Sequence, residues 1–91
     1  MDRRARAHAL VAAALAAVES ELAAPCHRLG PKQLGTCRDT LRRYLEELDG
    51  GVLPPRNDRD EPLGRLVVDS WGFDVPLGPM VLQAERAWRT C

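Results

Sequence analysis

The side chains best suited to chemistry are Cys26, His27 and Cys37, which sit close together in the sequence. Thiolate and imidazole are the usual ligands of zinc, and a closed structural site takes four of them. Asp39 would have to be the fourth, since His8 and Cys91 are remote along the chain. The spacing is not that of a C-x-x-C pair, and Cys37 falls on the apolar stripe of a helix, where a cysteine usually serves as a small hydrophobe. No metal is assigned on this basis. The same trio defines a second reading, a thiol or metal sensor. That role needs an exposed thiol of lowered pKa, with Arg28, Lys32 or Arg38 as the groups to lower it. Three irregularly spaced cysteines are not a disulfide framework and fit the reduced thiols of a cytoplasm.

Nucleophilic catalysis needs a nucleophile, a base and an orienting group within reach of each other. The two histidines, His8 and His27, lie far apart in the sequence, and Ser20 and Ser70 have no nucleophile-elbow setting. Gly30 and Gly35 flank Lys32 without the order of a phosphate loop. The carboxylates are scattered rather than paired. The expectation is a non-enzymatic chain with no catalytic residue, no cofactor and no evident small-molecule substrate.

Charge says little in favour of nucleic acid. Thirteen basic and thirteen acidic residues cancel to a net charge of zero, so no whole-chain field draws the protein to a polyanion. Local runs remain: Arg3, Arg4 and Arg6 at the start, and Arg38, Arg42 and Arg43 later, the latter diluted by Asp39, Glu46 and Glu47. They support a rival reading, a small DNA- or RNA-binding regulator using the arginines of the first two helices. Arg3, Arg4 and Arg6 also precede an apolar run from Ala9 to Val18, as in a secretory signal. Against that, the run is mostly alanine, Glu19 and Glu21 follow it, and Pro25 spoils a lipoprotein site. The expectation is a cytoplasmic protein without a membrane span. Twelve arginines to a single lysine, and no isoleucine, suggest a GC-rich bacterial genome.

The aromatic side chains are Tyr44, Trp71, Phe73 and Trp88. Each buries on the order of 150 to 250 Å² when covered, and aromatics also dominate interface hot spots. In a chain of 91 residues the core is thin. All four are therefore candidates for an interface as well as for the core, Trp71 and Phe73 above all, since they form a bend with Gly72 and Asp74.

Helices must position these groups. Val11, Leu15, Val18 and Leu22, widened by Leu10 and Ala14, mark one face of a helix from about Asp2 to Ala24. Asp2 caps its start and Pro25 stops it. Alanines 9, 12, 13, 16 and 17 leave its flanks thin enough for a close neighbour. A second helix is expected from Pro31 to Leu48, with a stripe of Leu34, Cys37, Leu41, Leu45 and Leu48 and a Gly50-Gly51 stop. Asp39 should pair with Arg42 or Arg43 on its outer face, and these arginines with Glu46 or Glu47. A Pro-rich loop follows at about 50–61.

Pro62-Leu63-Gly64 recurs as Pro76-Leu77-Gly78, and both copies read as helix entries. After the first, Leu63, Leu66, Val67 and Trp71 favour a short helix over a strand through Leu66 to Val68. After the second, Leu77, Met80, Val81, Ala84 and Trp88 form the stripe of a last helix, on which Glu85 should pair with Arg89. The sum is a single all-α domain over 1–91, a small antiparallel bundle of about four helices, two long and two shorter. Its expected function is a protein-interaction module: an accessory, regulatory or immunity-type partner of another protein, or a self-associating one.

Overall fold

A computed structural model of the chain describes residues 2–23, 31–50, 53–55, 62–67 and 77–91, and in them it contains four helices and no strand. These are α1 (Arg3–Ala23), α2 (Pro31–Leu48), α3 (Pro62–Leu66) and α4 (Leu77–Thr90). The protein is thus all-α, and local chemistry explains where its elements begin and end. Asp2 Oδ1 accepts the Arg4 N–H at 2.7 Å, which satisfies a donor of the first turn of α1. Pro31 opens α2, where its missing N–H costs nothing. Gly50 follows α2 with φ of +135°, a conformation that side-chain-bearing residues rarely adopt. The stretch opened by Pro62 is helical, as the first Pro-Leu-Gly copy implied. The second copy leads into α4.

α1 packs against both α2 and α4, and α3 rests on α4 and α2. Polar contacts give the directions. Arg4, at the start of α1, donates through Nε to the Leu48 carbonyl and through a terminal NH2 nitrogen to the Glu47 carbonyl, each at 3.0 Å. Near the other end of α1, Glu19 faces Arg42 at 3.8 Å. α1 and α2 are therefore antiparallel. α2 and α4 run the same way, because Tyr44 meets Glu85 and Glu47 meets Trp88.

Most residues of the expected stripes are buried, but Leu10, Leu22, Leu45, Leu66 and Leu77 are only half-buried, and on α2 Tyr44 is buried more fully than its neighbour Leu45. Ala7, Val11, Ala14, Leu15 and Val18 of α1 face Leu34, Cys37, Leu41, Tyr44 and Leu48 of α2 and Val81, Ala84 and Trp88 of α4 in one cluster, with Leu63 and Val67. Ala7 and Ala14 are fully buried, so the close approach occurs on the apolar face itself. Of the flanking alanines, Ala9, Ala13 and Ala16 are exposed.

Three expectations are corrected. Met80 leaves the stripe and is 42% exposed. The buried band of α4 runs through Val81, Ala84, Glu85 and Trp88, and at about 100° per residue Met80 lies a quarter turn from its centre. Glu85 is turned inward, where it meets groups of other helices instead of forming a surface pair with Arg89. On α2, Asp39 is met by its neighbour Arg38 at 3.1 Å, while Arg42 reaches across to α1.

Candidate functional site

Among the described residues, two places gather polar side chains that could serve a site. The first is buried. Glu85 is only 2% exposed, and its Oε2 accepts the Tyr44 hydroxyl at 2.7 Å and the Leu63 N–H at 2.9 Å, while Oε1 accepts the Gly64 N–H at 2.9 Å. Leu63 and Gly64 lie in the first turn of α3, whose N–H groups have no partner within the helix. A carboxylate from α4 thus caps α3 across the core, and three donors compensate its loss of water. Beside it the Tyr44 and Trp88 rings stack with centroids 3.9 Å apart and planes 15° from parallel. Trp88 Nε1–H donates to Glu47 Oε1 at 3.1 Å, and the Arg43 guanidinium lies 5.4 Å from the centre of the Tyr44 ring.

This cluster is closed to a ligand. Burial, with the hydrogen bond to Glu85 and its charge, holds the Tyr44 hydroxyl well above the usual tyrosine range. Burial first, and then the charge of Glu85, push the Cys37 thiol up to about 12. That is the reverse of what a reactive sulfur needs, because the thiolate is the nucleophile and the metal ligand. Cys91 is half-buried and donates to the Trp88 carbonyl at 3.3 Å. Cys26 and His27, the other members of the expected trio, lie outside the described residues, as do Trp71 and Phe73. Tyr44 and Trp88, named as interface candidates, are core side chains presented to each other and not to the surface.

The second place is open. A cleft of about 390 Å³ runs between α1 and α4 and is lined by Arg3, Arg6 and Leu10 on one side and Gln83, Arg86, Ala87 and Thr90 on the other. Both walls are helical stripes, at steps of three and four on α1 and of three, one and three on α4. Because the first half of α1 faces the second half of α4, these helices too are antiparallel. Leu10 and Ala87 are half-buried against the core and form the floor.

Arg3, Arg6 and Arg86 are exposed. Nearby carboxylates are turned to other work: Asp2 caps α1, Glu47 holds Trp88 and Glu85 is inside. Among the described residues no acidic side chain pairs with these three guanidinium groups. The sequence showed the Arg3 and Arg6 side of the cleft as part of a basic start. Arg86 was missed, because only the packing of α4 on α1 brings it there. The step of three from Gln83 to Arg86, with Ala87 and Thr90, was a readable sign that these residues share a face.

His8 and Asp49 add a polar contact on the α1/α2 side, at 2.8 Å. No group of metal-binding side chains assembles among the described residues. No described helix is long and apolar enough to cross a membrane. Compared with models of protein families, with curated proteins and with solved structures, the chain matches none.

Proposed function

We propose that the protein is a non-enzymatic interaction module that receives a partner protein in the cleft between α1 and α4. The observation that carries this reading is the cleft itself, an apolar floor of Leu10 and Ala87 under three arginines that no acidic side chain neutralises among the described residues. Exposed guanidinium groups around an apolar floor favour recognition, because Arg supplies both planar hydrogen bonding and contact area to an interface.

The rival reading, nucleic-acid binding through the arginines of the first two helices, finds less support. Of its six arginines, Arg3 and Arg6 are exposed at the cleft, but Arg4 caps α2, Arg38 meets Asp39, Arg42 faces Glu19, and Arg43 lies beside the Tyr44 ring. The last four engage neighbouring groups one by one, so the six do not form a continuous stripe.

A photo-crosslinking residue at Gln83, on the cleft wall, and another at Glu46, exposed on α2, test the proposal in living cells. A discrete protein adduct from the Gln83 position and none from Glu46 is the expected result. Adducts to nucleic acid at the cleft would favour the rival. The absence of any adduct, with a monomeric native mass, would sink the interaction reading.

A further inference from the structure

We infer that the cleft between α1 and α4 takes an acidic segment of its partner, with carboxylates about one helical turn apart around an apolar side chain. This rests on the interaction reading above and names the chemistry of the occupant.

Arg3 and Arg6 are three residues apart on α1, which puts them roughly 4.5 Å apart along the helix axis. Arg86 stands on the opposite wall. Carboxylates three or four residues apart on a partner helix match that separation, and each can accept two parallel N–H donors from a guanidinium group. The positive end of the α1 dipole adds to the field at Arg3 and Arg6. Between the arginines, Leu10 and Ala87 offer a floor for one apolar side chain, and Gln83 and Thr90 offer hydrogen-bonding groups to a peptide backbone.

A protein segment fits this arrangement better than a nucleic acid. The cleft is the size of a few side chains, and none of its lining residues is aromatic, so it holds no platform for a stacked base. The chain as a whole is neutral, and the cationic character is confined to a short patch instead of following a phosphate backbone.

The test is selection of a displayed random peptide library on the intact protein, beside the double variant Arg6→Glu with Arg86→Glu and the milder Arg6→Gln with Arg86→Gln. Circular dichroism checks that the variants are folded. The expected winners carry Asp or Glu at steps of three or four around a Leu, Met or Phe. A synthetic copy of a winner should bind the Gln variant roughly tenfold more weakly, the Glu variant more weakly still, and all forms more weakly at high salt. Orthophosphate and a thymidine oligonucleotide should not displace it.

Winners that are neutral or basic yet map to the cleft would overturn the inference and leave the interaction reading standing. So would acidic winners that bind the folded Glu variant equally well. Displacement by the oligonucleotide would assign the patch to nucleic acid, and displacement by orthophosphate would reduce it to a simple anion site. Failure to enrich any peptide would remove both the inference and the reading beneath it.

Discussion

Glu85 accepts hydrogen bonds from two other helices. Removing it leaves the Tyr44 hydroxyl and two helix-start N–H groups without their acceptor inside the protein. A buried donor left without an acceptor costs about 1 to 3 kcal/mol, more than the net value of the bond it made. Glu85→Ala should therefore destabilise the fold by about 2 to 5 kcal/mol, the sum for three orphaned donors of which one can reach water, whereas Tyr44→Phe, which removes one donor and keeps the ring stack, should cost about 1 to 2 kcal/mol. Urea unfolding of both variants checks the order. The same burial sets a pH dependence. Cys37 rises from 9.0 to about 12 in the fold, so the unfolded chain loses that proton first. The stabilisation is complete below pH 9.0 and is lost as pH rises toward about 12. Tyr44 shifts in the same direction and extends the loss into stronger alkali. A urea midpoint that falls through this range, less steeply in Cys37→Ala, is the expected outcome. None of this was legible in the sequence. A glutamate flanked by Ala84 and Arg86 reads as a surface residue, because periodicity weighs apolar side chains and cannot see that a carboxylate will find three donors on other elements.

At the scale of the element much more was readable, since starts and stops depend on nearby residues. Asp2 before α1, Pro31 at the head of α2 and Gly50 behind it act within a turn of their own position, and the expected limits of α2 are those observed. The close of α2 was only half visible. Its last carbonyls are also held by Arg4, from the far side of the sequence. Arg4→Ala should cost about 1 kcal/mol. Hydrogen exchange should show the loss as faster opening of the α2 C-terminal turn, with the middle of α1 unchanged. A uniform loss of protection across both helices would show that Arg4 does not act as a local cap. The face of α4 was readable to within a quarter turn. Val81, Ala84 and Trp88 were placed inward correctly, and Met80 was not, because the inclusion of Glu85 rotates the buried band.

For the whole molecule, the all-α class and the order of four helices followed from composition and spacing. The antiparallel setting of α1 and α2 followed from their connection, but which helix packs on which did not, because helix partners are chosen by surfaces that meet only in the fold. α1 is the shared element, with α2 on one side and α4 on the other, and it manages this with small residues. Ala14 is fully buried among them, so Ala14→Leu should force the helices apart and cost about 1 to 3 kcal/mol. In a domain of this size each kcal/mol lowers Tm by roughly 4 to 8 °C, and a thermal melt reads the effect directly. An unchanged Tm would mean that the contact of α1 with its neighbours is loose. The central position of α1 also bears on synthesis at the ribosome. Val11, Leu15 and Val18 emerge well before α4, which completes their cover and begins at Leu77. Until that segment leaves the exit tunnel, α1 and α2 lack the cover that α4 supplies. Chaperone occupancy should therefore persist until α4 is released and then end abruptly.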